Sequence, residues 1–380
     1  MAVVIFIIGL LLFVLLVVVH ELGHAIVAHR NGVVVEEFGI GFPPHLWKKK
    51  LKNKTVFSLN ALPVGGFVKL KGEHDNDTGP GTYGGLSLYA KAKVLLAGVV
   101  INWLTAVVIF TVLALTGLPQ LVSNQFTVKG DTKIVQNAIL ISDITNNSPA
   151  MRSGLQVGDQ LLKIGSTNVT GTSQLVNLTR SDAGKKETVV YSRDNTIHTT
   201  TAMLNKTDNN NQGYLGVVPL SHVTQRSTWS APIVGFGLTA QLTKLTIVGL
   251  GDVLKDLGTG LVQSVSPSSH TRAEAKSNIS AAGQNVAGPV GIIVLLKDVS
   301  DQGLSLMLYL IGVISLTLAV MNVLPIPALD GGRLFVTILY RLRRKKLTEE
   351  IEERIQGYAF ATLLALIVLL TVIDVRHFIL

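Results

Sequence analysis

The sequence predicts a polytopic α-helical membrane protein with about four transmembrane helices and an α+β domain outside the bilayer. Of its 380 residues, 48% are apolar and only 15% are charged, a balance typical of membrane proteins. Four apolar segments approach the length of a membrane span, at residues 3–28, 94–118, 304–324 and 357–373. The polar segment between the second and the third is long enough to form a domain of its own.

The first apolar segment, Val3 to Ala28, is predicted to be retained as a transmembrane helix. It lacks a basic leading segment, is too long for the apolar region of a signal peptide, and is followed by no small-x-small cleavage pattern. Near its end it carries His20, Glu21 and His24, which form an H-E-x-x-H motif. Ionisable side chains within a span are costly and usually functional. The alternative is that the three side chains only hydrogen-bond within a helix bundle.

The spacing of the motif predicts a zinc site. Residues four apart on a helix are separated by about 40° around the axis and about 6 Å along it, so both imidazoles can reach one ion. Glu21 then lies beside the metal, where a carboxylate can act as a base. The chain contains no cysteine, which excludes a disulfide framework and a thiolate ligand or nucleophile.

The net charge of +9 is unevenly distributed, and its distribution predicts the orientation in the membrane. Ten basic residues lie between the first two spans: Arg30, Lys48, Lys49, Lys50, Lys52, Lys54, Lys69, Lys71, Lys91 and Lys93. Five more lie at residues 341–346, between the last two spans. Both loops are therefore expected in the cytoplasm, with both termini and residues 119–303 outside. Nucleic-acid binding is not predicted, because no aromatic and basic platform accompanies these charges.

Residues 127–219 are predicted to form the external domain. The run from Ala150 to Leu161 has the pattern A-x-x-x-G-L-x-x-G-D-x-L between two predicted strands, and this pattern resembles PDZ domains. Such domains bind peptide termini by strand addition. The alternative is a plug that excludes bulky substrates and binds no ligand.

The segment from Trp229 to Val265 is moderately apolar but is interrupted by Gly249, Gly251 and Gly258. These glycines predict breaks, which favour an amphipathic segment at the outer membrane surface over a further span. The polar residues 266–284 that follow are predicted to be a linker. Residues 229–290 are thus predicted to form an extracytoplasmic amphipathic and linker region.

A third metal ligand is expected where another span ends on the cytoplasmic side. The third apolar segment ends in N-V-L-P-I-P-A-L-D-G-G, from Asn322 to Gly332, and its two prolines end the helix before Asp330. A carboxylate here would complete a His, His, Asp set with one open position, as in catalytic zinc sites. The alternative is that Asp-Gly-Gly only caps a turn.

These motifs together resemble the site-2 protease family of intramembrane zinc metalloproteases, and especially its bacterial branch with one extracytoplasmic PDZ domain. Further similar segments are Gly39 to Phe42, Pro63 to Lys69, Ala97-Gly98 with Asn102, and Gly288 to Gly291. The resemblance implies that Zn²⁺ is bound by His20, His24 and Asp330. It also implies that Glu21 is the general base and that Asn322 steadies the substrate or its oxyanion. Pro43 and Val99 depart from the family pattern without touching these positions.

A hairpin between the first two spans is predicted to receive the substrate. A transmembrane helix must unwind before cleavage, and each unpaired backbone group in lipid costs several kcal/mol. Val64 to Leu70 and Phe38 to Phe42 are predicted to form a membrane-dipping hairpin whose edge pairs with the unwound peptide. The candidate binding residues are Gly39, Gly41, Gly65, Gly66, Phe67, Val68 and Lys69. The alternative is an ordinary cytoplasmic hairpin.

The predicted organisation places the two halves of a protease core at residues 1–118 and 291–380, with the external regions between them. By resemblance, the enzyme cleaves transmembrane segments of single-span proteins, such as anti-sigma factors and remnant signal peptides, in a bacterial plasma membrane. Two alternatives are a catalytically silent PDZ adapter and an ion transporter with an intramembrane carboxylate site. Neither alternative requires two histidines four residues apart together with an aspartate.

Overall fold

The structure is a computed structural model that describes residues 1–52, 54–74, 77–136, 139–193, 196–207, 213–220, 223–264 and 288–378. It contains two compact units, one formed by Met1–Leu113 with Pro232–Leu380 and the other by Ala114–Ala231. The first unit carries the long apolar helices and the second is mostly β-structure. The linker predicted at residues 266–284 lies outside the described residues.

Five described helices are long and apolar enough to cross a membrane. They are α1 (Ala2–Arg30), α2 (Leu88–Thr116), the Ala231–Asp256 part of α5 (Ala231–Ser264), α7 (Leu304–Val323) and the Glu349–Val375 part of α9 (Glu349–Phe378). The four predicted spans correspond to α1, α2, α7 and α9. The additional helix is α5.

The prediction that glycines interrupt the segment before the linker is wrong, because α5 is continuous through Gly249, Gly251 and Gly258. Glycine costs a helix only about 1 kcal/mol relative to alanine, so three glycines in a 34-residue helix need not interrupt it. Trp103 of α2 donates a hydrogen bond to the Thr243 hydroxyl at 3.1 Å, and its ring lies 5.2 Å from that of Phe236. The helix therefore packs on α2, which a pattern of local breaks does not reveal.

Strands β1 (Val35–Lys50) and β2 (Val56–Leu70) fold back on each other so that each strand occupies two positions in a small sheet. Ile40 pairs with both Gly66 and Leu59, and Trp47 also pairs with Leu59. The order across the sheet is therefore residues 45–50, 56–60, 35–40 and 66–70. The reversals contain Gly41 and Gly65 at φ values of +77° and +94°, a conformation that favours glycine.

This sheet runs alongside the last turns of α1. At one end, a Cβ on Gly66 would lie 3.9 Å from the Val17 side chain, and at the other end Leu70 and Val35 share a buried cluster with Ala28. The predicted hairpin is therefore present and lies against the helix that carries the H-E-x-x-H motif. Residues 66–70 form one edge of the sheet and residues 45–50 form the other.

The remaining helices of the first unit pack around α1 and α7. Helix α6 (Pro289–Ser300) contributes Leu296 to a buried cluster with Ile5 of α1 and Met307 of α7. Asp374 of α9 is buried and accepts a hydrogen bond from the Gly291 N–H at 2.7 Å, which caps α6. Helix α8 (Asp330–Leu342) follows the broken segment after α7.

The second unit is an α+β domain, as predicted. The strands of its main sheet are β5 (Ile139–Ile144), β6 (Gln160–Ile164), β7 (Thr167–Asn168), β8 (Lys186–Arg193), β9 (Thr196–Met203) and β10 (Val217–Leu220). Their order across the sheet is β10-β5-β6-β8-β9, and β7 also pairs with β6. Helices α3 (Pro149–Arg152) and α4 (Thr172–Ser181) complete it, and a buried core includes Ile139, Leu161 and Val189.

The second unit extends beyond the predicted boundaries of 127–219. A three-stranded sheet of order β3-β11-β4 joins its two ends, with β3 at Leu118–Pro119, β4 at Lys133–Gln136 and β11 at Val223–Arg226. These strands are two to four residues long, too short to show the alternation from which strands are predicted.

Candidate metal centre

Three side chains from two distant helices converge in the first unit. His20 and His24 lie near the end of α1, and Asp330 is the first residue of α8. The Nε2 atoms of the two histidines are 3.2 Å apart, and Oδ2 of Asp330 lies 3.2 Å from Nε2 of His20 and 3.3 Å from Nε2 of His24. The structure thus brings together the three predicted metal ligands.

The donor atoms fit zinc in both spacing and chemistry. Ligands about 2.0–2.1 Å from a tetrahedral zinc ion lie about 3.3 Å from one another, which matches the three distances. Nδ1 of His24 lies 2.8 Å from the Val94 carbonyl oxygen, which only accepts, so Nδ1 carries the proton and Nε2 offers its lone pair. Oδ2 of Asp330 is buried and has no hydrogen-bond partner among the described residues. A divalent cation would satisfy these atoms together.

Glycines make the approach of the surrounding segments possible. A Cβ on Gly98 of α2 would lie 2.4 Å from Nε2 of His24 and 2.5 Å from Cε1 of His20. A Cβ on Gly331 would lie 2.1 Å from the Val323 carbonyl oxygen, and one on Gly332 would lie 1.9 Å from that of Ile326. The Asp-Gly-Gly sequence therefore packs tightly against residues 323–326, at the end of α7, and places the Asp330 carboxylate beside the histidines. A residue that only capped a turn would not need this position.

The edge strand 66–70 lies beside Glu21. A Cβ on Gly66 would lie 3.3 Å from Cγ of Glu21, and the backbone N–H of Val68 faces the Glu21 carboxylate. Glu21 therefore has the metal ligands next to it in the helix and a strand edge on its other side. This position suits a group that exchanges protons with a peptide lying along that edge.

The other candidate substrate residues differ in their relation to the centre. Gly39 pairs with Phe67, and a Cβ on Gly39 would lie 2.3 Å from the Phe67 ring, so both support the edge strand. Gly41 and Gly65 lie at the reversals. The Lys69 ammonium lies 3.5 Å from the Glu36 carboxylate and both are exposed, so this side chain serves an ion pair away from the histidines.

Asn322 lies in the last turn of α7. Its carbonyl oxygen is 2.9 Å from the position that a Cβ on Gly331 would take, which places the Asn322 backbone against the residue that follows Asp330. The structure thus locates Asn322 near the centre and leaves the contact of its side chain with substrate as a prediction.

Sequence analysis missed the group that anchors α8. Arg333, one turn after Asp330, donates from Nε to Glu352 at 3.3 Å and from a terminal nitrogen to the Glu73 carbonyl, and its guanidinium lies 5.1 Å from the centre of the Tyr83 ring. Glu352 and Tyr83 are buried. No local pattern predicts this group, because its members come from two regions far apart in the chain, residues 73–83 and 333–352.

A second group of ligand types is exposed at the start of α9. Nε2 of His74 lies 3.3 Å from Glu349 and 4.0 Å from Glu353. Both glutamates are well exposed, and Glu349, in the first turn of α9, is stabilised by the helix dipole. Ion pairing with His74 accounts for this group without a metal.

Comparisons with known proteins cover nearly the whole chain. The model of Peptidase family M50 matches residues 8–366. A provisionally named zinc metalloprotease of Clostridium perfringens is 29% identical over 369 residues, which cover 97% of each chain. The regulator of sigma-W protease RasP of Bacillus subtilis is 24% identical, covering 94% of this chain and 96% of the relative. Zinc metalloprotease Rip1 of Mycobacterium tuberculosis is 27% identical, covering 89% and 87%.

Among solved structures, the PDZ domain of an SdrC-like protein from Listeria monocytogenes covers 25% of this chain and 94% of that chain. The match has 14% sequence identity and a TM-score of 0.20.

Proposed function

The chain belongs to Peptidase family M50 and is a zinc metalloprotease, and on this premise we propose that it cleaves transmembrane segments of single-span membrane proteins within the lipid bilayer. The observation that carries the proposal is the convergence of His20, His24 and Asp330 on one point beside Glu21. These residues lie on α1, which has the length and composition of a membrane span, and at the start of α8.

We propose that His20, His24 and Asp330 hold the zinc ion and that Glu21 is the general base. Bound there, zinc supplies Lewis acidity and lowers the pKa of a water molecule. Glu21 accepts the proton of the attacking water and passes it to the leaving amine, a role open to a carboxylate within hydrogen-bond reach of both. The N–H of Val68, which faces the Glu21 carboxylate, is proposed to orient it.

We propose that the edge strand 66–70 receives the unwound substrate. A peptide that leaves its helix in lipid must find new partners for its backbone groups, and the edge of a sheet offers them in a row. The position of this strand next to Glu21 supports the proposal, since a paired peptide would run past the base. Asn322 is proposed to contact the substrate or its oxyanion.

The proposed location is a bacterial plasma membrane, with both termini and the second unit on the extracytoplasmic side and the metal centre toward the cytoplasm. The basic residues between α1 and α2 and those at 341–346 support this orientation. The proposed substrates are anti-sigma factors and remnant signal peptides, and the second unit is proposed to bind substrate peptide termini. The name of the Bacillus subtilis relative, which refers to sigma-W, supports the first of these classes.

The decisive experiment compares the native chain with Glu21→Gln. Purified native protein should contain one zinc ion per chain, and on coexpression it should cleave a truncated single-span anti-sigma factor. Glu21→Gln should keep the zinc and lose cleavage, because the amide cannot accept the proton.

Two outcomes would contradict the proposal. Protein without stoichiometric zinc would favour the silent adapter or the ion transporter, since neither requires this metal. Normal cleavage by Glu21→Gln would show that Glu21 is not the base.

A further inference from the structure

A cluster of lysines occupies one end of the β1–β2 sheet. Five lysines lie within seven residues, at positions 48, 49, 50, 52 and 54, and all five are exposed. No aspartate or glutamate occurs from residue 38 to residue 72. The preceding carboxylates face other partners, because Glu36 lies 3.5 Å from Lys69 and Glu37 lies 4.0 Å from His45. We call residues 46–52 with Lys54 the lysine tip.

The lysine tip also exposes large apolar side chains. Leu46 is 67% exposed, Trp47 is 49% exposed and Leu51 is 42% exposed. Trp47 packs one side of its ring against Phe57, with the ring centres 6.1 Å apart, and leaves the rest uncovered. An exposed tryptophan and leucine beside lysines is the composition of segments that lie at a membrane interface.

The apolar and the basic residues of the lysine tip lie at different heights along the sheet, measured against α1. The Thr55 hydroxyl donates to the Val35 carbonyl at 2.9 Å, so the end of the lysine tip is level with the start of β1, just after the last turn of α1. The reversal near Gly65 is level with Val17, which precedes Arg30 at the end of α1 by 13 residues. Along strand 45–50, Leu46 and Trp47 therefore come on the membrane side and the lysines on the surface side.

We propose that the lysine tip binds the head groups of anionic lipids at the cytoplasmic surface of the membrane, with Leu46 and Trp47 inserted below them. The inference rests on the orientation given with the proposed function. A lipid surface fits better than an acidic peptide, because the order of apolar and basic residues matches the change from acyl chains to head groups along one strand. Bound lipid would hold the outer edge of the sheet, and through it the edge strand beside Glu21.

Orientation by positive charge alone requires neither an exposed tryptophan nor a response to lipid composition. Binding to anionic head groups requires a response to lipid composition, because each lysine near such a surface contributes about fivefold to the affinity. Insertion of Trp47 below the head groups also accounts for its exposure. Orientation by charge and binding to head groups therefore predict different responses when anionic lipid is added to a protein that is already inserted in a membrane.

The test uses the full chain, which has no cysteine, so Leu51→Cys can carry a single environment-sensitive fluorophore. The labelled protein is reconstituted in phosphatidylcholine nanodiscs and titrated with short-chain phosphatidylglycerol. We expect a blue shift of the emission as the label enters the interface, reversed by raising the salt concentration to about 1 M. Lys48→Gln, Lys49→Gln and Lys50→Gln together should raise the apparent dissociation constant about 100-fold.

The matched control replaces Arg343, Lys345 and Lys346, three exposed basic residues after α8, by glutamine. This control should leave the titration unchanged. The proposal is overturned if phosphatidylglycerol causes no shift, if the control weakens binding as much as the lysine variant, or if an acidic peptide shifts the emission where the lipid does not. The fluorescence readout is independent of proteolysis, and the zinc content and cleavage of each variant are measured in parallel, so failure here is distinct from failure of the proposed function.

Discussion

Gly98 determines how closely α2 can approach the two histidines. The absence of a side chain is what matters at Gly98, because a Cβ there would lie 2.4 Å from Nε2 of His24. A methyl group at this distance displaces an atom that is proposed to hold the metal. The residue therefore controls the geometry of the centre without contributing a ligand.

We expect Gly98→Ala to lower zinc affinity by at least about tenfold, because displacement of His20 and His24 separates the donor atoms. Chelator competition on purified protein measures the affinity. Gly249→Ala is the matched control, since Gly249 is also helical and a Cβ added there would have no atom within 4 Å. Equal zinc affinity in both variants would show that the imidazoles move aside at no cost.

Asp159 holds a turn of the second unit. Its carboxylate accepts two hydrogen bonds from Arg193, each at 2.7 Å, and one from the Gln156 N–H at 2.8 Å. Burial alone would raise the pKa of Asp159, but the bonds from Arg193 and Gln156 outweigh it and hold the pKa below its ordinary value. The Gly-Asp of the predicted PDZ-like pattern thus has a structural role.

We expect Asp159→Asn to destabilise the second unit by about 2 kcal/mol, because it removes the buried charge that accepts two hydrogen bonds from Arg193. Since the pKa of Asp159 is lower in the folded unit, the stabilisation is present above about pH 4 and is lost as the pH falls through the folded pKa. Hydrogen exchange of residues 139–193 as a function of pH measures both effects. Asp182→Asn, which breaks an exposed pair with Lys185, should cost less than about 1 kcal/mol.

At the scale of elements, the edge strand 66–70 lies between Glu21, the proposed base, and the position proposed for the unwound substrate. The N–H of Val68 contacts Glu21, while Phe67 and Gly66 pair with Gly39 and Ile40 on the other side of the strand. The strand is thus fixed by the sheet and in contact with α1. Its backbone, more than its side chains, is what the proposed mechanism uses.

We expect Val68→Pro to abolish cleavage and to leave the zinc content unchanged, because proline removes the N–H that orients Glu21 and disturbs the edge without touching a ligand. Zinc analysis and a single-span substrate assay on the same preparation provide the measurement. Val68→Ala keeps the N–H and should retain most of the activity. Cleavage by Val68→Pro at the native rate would refute the role of this edge.

At the scale of the whole molecule, α5 distinguishes the sequence-based arrangement from the observed one. Thr243 bonds to Trp103, and Gly235 packs against Thr111, whose hydroxyl would lie 2.2 Å from a Cβ at that position. Trp103 is in the middle of α2, a helix with the length and composition of a span. We infer that a segment paired there enters the apolar layer, in contrast to one lying on the surface.

We expect Leu245→Cys, next to the contact with Trp103, to be protected from a membrane-impermeant maleimide in intact cells. The chain has no other cysteine, so labelling reports on this position alone. Trp229→Cys, just before α5 and 69% exposed, should be labelled from outside. Rapid labelling of Leu245→Cys would place α5 at the membrane surface, as the sequence predicted.

Features that depend on a local pattern could be predicted from the sequence. Apolar runs of spanning length located α1, α2, α7 and α9, because a helix in lipid must be apolar over its length. The spacing of His20, Glu21 and His24 predicted a metal-binding face, and the prolines after α7 predicted the break before Asp330. Each of these rests on residues that are neighbours in the chain.

Contacts between distant segments of the chain could be found only in the three-dimensional structure. The 3.2 Å approach of Asp330 to His20, the space that Gly98 leaves, and the anchoring of α8 by Arg333 all join residues from separate helices. The contact of Thr243 in α5 with Trp103 in α2 likewise joins residues far apart in the chain. The sequence shows which contacts are chemically possible. Which of them form depends on close packing, because a helix is stabilised mainly by a complementary surface elsewhere in the chain.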